Sequence, residues 1–430
     1  MFKKEKNSFK YFLGVMAVFA LLLLTACDND DNGGGTGNGG GDGAPEEITL
    51  VMSIWNAGVE FTSLADAFMA EHPHINIEMI DIVSANYQER IITMLAGGET
   101  LDIIPIIDMP LYVSLSELGQ LKNLTDFVNN LDESAQGGVL DFLRLENGHY
   151  YAMPYRWHFF ALFYNKDMFD EAGIPYPEHL TWEEYAELAA QLTSGTGAEK
   201  IYGAHLHTWW SITAGVAAAQ TGNTLITDDF SFLADQYELV RQMQADESIM
   251  DFGGILAAEV GYRPRFELGH AAMMPMGAWY LGELAERAEF RWGVAPLPQI
   301  AGSGEVVSIG APTSLGININ SNHPEEALMF IEFATGPQGA RIISEIGNVP
   351  ALLTDEILDI YFSVDGMPQD DLTRRTFNPD RIELEIQTSP HTGEIDQILG
   401  QTHELIMVGE LTIEEGILEL NRRVGELLNR

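Results

Sequence analysis

Between residues 48 and 79 the apolar residues change period twice, and that switch ties the segment to a sheet with a helix packed across it. Ile48, Leu50, Met52 and Ile54 alternate, as the buried face of a strand does. Phe61, Leu64, Phe68 and Met69 then follow helical spacing, and His72-Pro73 stops that helix. Ile75, Ile77 and Met79 alternate again. Strand, helix and strand within about 35 residues make a βαβ unit, which implies two parallel strands joined by a right-handed crossover.

The same logic extends along the chain. A second helix is predicted over 87–96, closed by Gly97-Gly98. Ile103-Ile104-Pro105-Ile106-Ile107 reads as a buried strand whose proline marks a strand end or a bulge. Residues 150–160 mix aromatics with Pro154 and read as a loop leading into a strand at 161–164. Thr181-Trp182-Glu183-Glu184 is a capping box that opens a helix through 192. Further strands are predicted at 201–206, 271–276, 291–295 and 308–318, with a helix from 281 and another over 323–333. The last third reads as mostly helical, and there is no internal repeat. Alternating strands and helices define an α/β class. About 380 residues follow the N-terminal region, more than one core comfortably holds, so two lobes are expected.

The N-terminus has its own pattern. Lys3, Lys4, Lys6 and Lys10 precede an apolar run over 11–24, then Leu24-Thr25-Ala26-Cys27. That is the layout of a secretory signal, and the run is shorter than the roughly 20 residues of a spanning helix. Cys27 is the only cysteine, so no internal disulfide can brace the fold. Residues 28–43 are almost all Gly, Asn and Asp and read as a flexible tether. The net charge is −42, and removing residues 1–26, which carry four lysines and Glu5, leaves −45. Such a chain repels nucleic acid and anionic lipid, which excludes nucleic-acid binding and polybasic membrane attachment as functions.

Large aromatics recur just past strand ends, where open α/β sheets bind ligands. Trp55 follows the first strand, Trp209 and Trp210 the strand ending near 206, and Trp279 and Tyr280 the strand ending at 276. Asp108 follows the strand ending at 107, and Trp157 and His158 precede the one at 161. Aromatic faces beside carboxylates suit a ligand with an apolar C–H face and hydroxyls, such as a sugar. Glu60 is a candidate hydroxyl acceptor, and His207 lies near the ligand by position. Adjacent Trp209 and Trp210 point apart, so one of them is expected to touch ligand. Trp182 and Trp292 read as packing residues. His72-Pro-His74 is explained by a turn; His205-Leu-His207 has no partner cluster, so neither is read as a metal site, and no cofactor is expected.

With these residues in view, the chain resembles the extracellular solute-binding proteins of ATP-dependent sugar importers, the family related to maltose-binding protein. The resemblance is carried by Gly97-Gly98-Glu99-Thr100-Leu101-Asp102-Ile103 and by Tyr151-Ala152-Met153-Pro154-Tyr155. It continues through Tyr164-Asn165-Lys166-Asp167-Met168-Phe169, Gly277-Ala278-Trp279 and Trp292-Gly293-Val294-Ala295-Pro296-Leu297-Pro298. It covers nearly all of 47–350; nothing transfers beyond about 352. The family implies a two-lobed, type II periplasmic-binding-protein-like fold, with the ligand cleft between lobes joined by crossing hinge strands. The lobes are expected at 47–154 plus 312–348 and at 155–311 plus 349–430. Trp279 matches the sugar-stacking position, and Trp55, Glu60, Asp108, His158 and Trp210 match positions that line the cleft. Ile106 stands where some oligosaccharide binders carry a tryptophan, which argues against a long maltodextrin-like ligand.

Leu-Thr-Ala-Cys resembles the bacterial lipobox, which implies a signal peptide over 1–26, acyl chains including palmitate on Cys27, and anchoring on the extracytoplasmic face of the cell membrane. The expected function is capture of a carbohydrate by hinge closure and delivery to the transmembrane permease of an ABC transporter, by a monomer that is not an enzyme. Two other classes fit the residues: a binder of a non-sugar solute such as a polyamine, an amino acid or a metal chelate, the polyamine through cation–π contacts, and an exported glycosidase with paired carboxylates.

Overall fold

The computed structural model describes residues 46–131, 139–258 and 261–430. Residues 1–45, with the expected signal peptide, Cys27 and the segment read as a tether, lie outside the described residues. Glu46–Arg430 forms one compact unit. Among the described residues no helix is long and apolar enough to cross a membrane.

The βαβ unit forms as its periodicity dictates. Strand β1 (Ile48–Trp55) pairs in parallel with β2 (Ile75–Ile82), in register from Ile48 opposite Ile75 to Trp55 opposite Ile82. Helix α1 (Val59–Glu71) crosses between them and buries Phe61, Leu64 and Phe68. Helix α2 (Tyr87–Ala96) leads to β3 (Ile103–Ile106), parallel to β1, and α3 (Met109–Glu117) follows. Pro105 is the penultimate residue of β3, opposite Leu315, and its carbonyl accepts the Tyr87 hydroxyl at 2.7 Å.

Strand β4 departs from the expectation of a loop at 150–160: it runs unbroken over Ala152–Asn165. Pro154 is tolerated because the register against β8 (Val307–Ile317) shifts between Pro154 and Arg156, leaving Tyr155 as the extra residue of a bulge. Both faces of the far half of β4 are buried. Trp157, Phe159, Ala161 and Phe163 join one apolar cluster, and Phe160, Leu162 and Tyr164 the other. No polar alternation therefore marks it as a strand. Each fully buried Phe or Leu there contributes roughly 1.5–3 kcal/mol.

The near half of β4 pairs with β8, and β8 with β3, completing a first sheet. The far half pairs with β6 (Ala271–Gly277) and β7 (Trp292–Ala295), and β6 with the short β5 (Tyr202–Ala204), completing a second. Strand β9 (Arg381–Leu384), in the segment expected to be mostly helical, adds in parallel to β8. The path is β2-β1-β3-β8-β4-β6-β5, so β4 is the strand that pairs in both sheets, with β8 beside its near half. A third segment lies beside them: Trp157 donates its backbone N–H to the Val349 carbonyl, and Ala351 donates to that of Tyr155.

Candidate ligand-binding site

Because β4 is continuous, adjacent side chains take opposite faces. Trp157 turns into packing and stacks on Phe142 at 5.4 Å with planes 9° apart. His158 takes the other face, shared with Arg156 and Phe160. Its Nε2 lies 2.8 Å from Glu385 Oε1, and the carboxylate accepts. Two residues earlier, Arg156 Nη1 donates to Glu60 Oε1 at 2.6 Å. One face of β4 thus presents two basic side chains in succession, each held by a glutamate from a distant element.

An aromatic row runs on from His158. Trp279 meets His158 edge-on at 4.8 Å, Phe160 at 5.4 Å and Trp209 at 5.8 Å, and its Nε1 donates to the Tyr262 hydroxyl at 3.2 Å. Gly277 makes this placement possible: a Cβ there would stand 1.8 Å from the Trp279 ring. Trp209 continues the row to Tyr262 at 5.7 Å and to His207 at 4.4 Å, and it is 36% exposed, a large apolar face left to solvent. Trp210 diverges from its neighbour, and its Nε1 donates to Asp396 Oδ1 at 3.0 Å. Tyr280 is fully buried against Phe163 and Tyr262 and donates its hydroxyl to Glu267 Oε1 at 3.3 Å.

Three carboxylates gather beside this row. Asp108 caps α3, its Oδ1 accepting the Leu111 N–H at 2.8 Å. Burial pushes its pKa up to about 7, against the pull of the Leu111 bond and with help from the charges of Asp396 and Glu385. Burial also raises Asp396, opposed by the Trp210 bond and assisted by Glu385. Asp396 lies on the Thr392–Val408 helix and Glu385 one residue past β9. Neither was singled out from the sequence. Glu385 is one carboxylate among 64 acidic residues, following a strand of four residues. A faint signal existed for Asp396: it sits next to the buried stripe of its helix, directly after Ile395.

The structure therefore brings His158, Trp209 and Trp279 into one contact network, with Asp108 and Trp210 joined to it through Glu385 and Asp396. Trp55 stands apart, edge-on to Phe61 at 4.8 Å and Tyr87 at 5.0 Å, while Glu60 reaches the shared face of β4 through Arg156. His207 and His205 are neutral. Burial takes His207 down to about 4, with Arg263 adding, and His205 to about 3, with His207 and Arg265 adding. Among the described residues no group of three or more His, Cys, Asp or Glu is arranged to hold a metal ion. A surface recess of about 280 Å³ lined by His179, Leu372, Arg375, Asn378 and Asp380 shares no residue with the aromatic row. Lacking aromatic walls, it does not offer the stacking surface that the row does.

Two sheets joined by the continuous strand β4, with aromatics and carboxylates gathered along it, define a two-lobed binding protein. Known proteins agree. Residues 55–341 match the family described as bacterial extracellular solute-binding protein, and the chain belongs to that family. A sugar transporter of Rhizobium etli, solved in an open conformation, is 32% identical, with a TM-score of 0.75 over 88% of this chain and 99% of its own. A Listeria monocytogenes ABC substrate-binding protein in complex with cycloalternan shares the fold at 18% identity, with a TM-score of 0.79 over 89% and 100%. The multiple sugar-binding protein of Streptococcus mutans is 23% identical over 70% of this chain and 69% of its own.

Proposed function

We propose that this chain captures a carbohydrate outside the cell and hands it to the transmembrane permease of an ABC importer. The observation that carries the reading is the row His158–Trp279–Trp209, which starts at the Glu385-held His158 and ends in a partly exposed indole. Indole faces stack on the C–H face of a pyranose, and carboxylates accept its hydroxyls. Trp279 and Trp209 would supply stacking; Glu60, Asp108, Glu385 and Asp396 would supply acceptors.

The lobes in this reading are 47–154 with 312–348 and 155–311 with 349–430, and each boundary falls on a crossing segment. Ligand touching both lobes binds best when the cleft is shut, so binding shifts the open–closed population. Cys27, acylated, would tether a monomer to the outer face of the membrane through the Gly/Asn/Asp segment. The chain acts in this reading by binding, with no chemical step.

The three carboxylates support a second reading, a cationic solute such as a polyamine. Thermal-shift screening of purified protein against neutral mono- and oligosaccharides and against polyamines separates the two. Stabilisation by at least one neutral carbohydrate is expected; stabilisation by polyamines alone would overturn the carbohydrate reading.

A further inference from the structure

Arg156 is rooted on the crossing strand β4, where β8 and residues 349–351 flank it. It faces Thr313 of β8 on one side and is bridged to Pro350 on the other, one residue past the bulge at Tyr155. Its neighbours Tyr155 and Trp157 are both bonded to residues 349–351. The guanidinium leaves this crossing and ends on Glu60, with the two side chains only 12% and 8% exposed.

Glu60 directly follows a constrained loop. It lies in the first turn of α1, whose cap is Gly58 and offers no side-chain bond. Just before it, Asn56 and Ala57 hold φ values of 53° and 46°, a region that non-glycine residues enter at a cost. Ala57 N–H donates to Asp81 Oδ1 at 2.7 Å, and Asn56 exchanges bonds with Ser84 at 2.9 and 3.0 Å. Trp55 opens the loop and packs on Phe61, which touches Tyr155 at 6.0 Å. The Tyr155 hydroxyl, in a residue 1% exposed, has no partner among the described residues.

We propose that Arg156 is a positioning residue that couples the hinge to the β1–α1 loop, acting through Glu60. Bending the crossing strands at the Tyr155 bulge swings the root of Arg156. A desolvated ion pair resists separation, because either charge left alone lacks compensation. The loop between Trp55 and Glu60 therefore follows the hinge, and the pair biases the resting angle between the lobes. The ligand-contact part of this inference rests on the carbohydrate reading; the hinge part does not.

The test uses Glu46–Arg430, which forms one compact unit and contains no cysteine. Spin labels on Glu117→Cys and Glu187→Cys, both exposed, report the distance between the lobes by pulsed electron resonance. Arg156→Gln and Glu60→Gln are each expected to shift the ligand-free distance distribution and to weaken carbohydrate binding at least tenfold. The double variant should show no more than either single one. Arg156→Lys should recover part of both, since a point charge replaces the planar fork incompletely. A distance distribution unchanged in the folded variants, or single effects that add, would overturn the proposal. If the glutamine variants do not fold, Arg156→Lys decides alone: an intermediate distribution supports coupling, and wild-type distance and affinity contradict it. Failure of the unsubstituted protein to bind any carbohydrate would instead count against the functional reading.

Discussion

His158 and Glu385 are 227 residues apart in sequence and 2.8 Å apart in space. That contact ties the C-terminal segment, which carries no family pattern, to the face of β4 where the aromatic row begins. Glu385 should therefore behave as a residue of the site. Glu385→Gln keeps the shape and removes the charge that accepts from His158. Affinity for the bound carbohydrate should fall about tenfold, or roughly 1.4 kcal/mol. Calorimetric titration of the variant beside wild type measures it, and an unchanged dissociation constant would remove the C-terminal segment from the site.

Trp279 touches His158, Phe160 and Trp209 at once. Trp279→Ala should weaken binding by tenfold or more, and Trp279→Phe by less, because a smaller ring keeps part of the stacking face. Intrinsic fluorescence titration checks the order of the two variants.

Two buried histidines, His205 and His403, and the half-buried His207 lower stability in acid. His205 and His403 are held down to about 3 and His207 to about 4, burial being the first cause in each. The unfolded chain protonates these rings near their ordinary pKa of about 6.5, while the folded chain keeps them neutral. Stability is thus intact above about pH 6.5 and falls as the pH drops towards the folded values. The loss is about 1.4 kcal/mol per histidine per pH unit inside that window. Urea denaturation at pH 7.5 and pH 5.5 should show a clear drop in midpoint; equal midpoints would mean that the three rings are not held neutral by the fold.

Asp108 carries the opposite sign. Its folded pKa of about 7 lies above the unfolded value, so its contribution is complete below about pH 3.9 and lost as the pH rises through 7. Asparagine still caps α3 and is neutral. Asp108→Asn should therefore stabilise the ligand-free protein at pH 8, on the order of 2 kcal/mol, and do little at pH 4. Melting temperatures at the two pH values give the comparison.

The proposed anchoring through Cys27 predicts that Cys27→Ser releases the protein into the medium without changing carbohydrate affinity, because residue 27 precedes the compact unit that begins at Glu46. Cell fractionation followed by titration of the released chain tests both halves of the statement.

The fold was legible where one buried face leaves a period. Residues 48–79 alternate, coil and alternate again, and the resulting strands and helix match that pattern. Local chemistry marked Thr181, whose side chain and Glu184 form the reciprocal capping box in space. The near end of β4 was not legible, since its aromatics fill both faces and Pro154 imitates a loop signal that only the bulge explains. Reading Trp157 and His158 as loop neighbours hid the alternation that sends one to Phe142 and the other to Glu385. Trp209 and Trp279 of the candidate site were marked by their places after predicted strand ends. The carboxylates Glu385 and Asp396 were not, because an acidic chain offers no contrast and their partners lie far away in sequence.

The central claim, carbohydrate capture on the Trp209–Trp279 face, is tested most directly by calorimetric titration of wild type and Trp279→Ala with one neutral oligosaccharide chosen by thermal shift. Saturable binding by wild type, weakened at least tenfold in the variant, is the predicted result. Equal binding by both proteins, or saturation by a polyamine and by no neutral sugar, would contradict it.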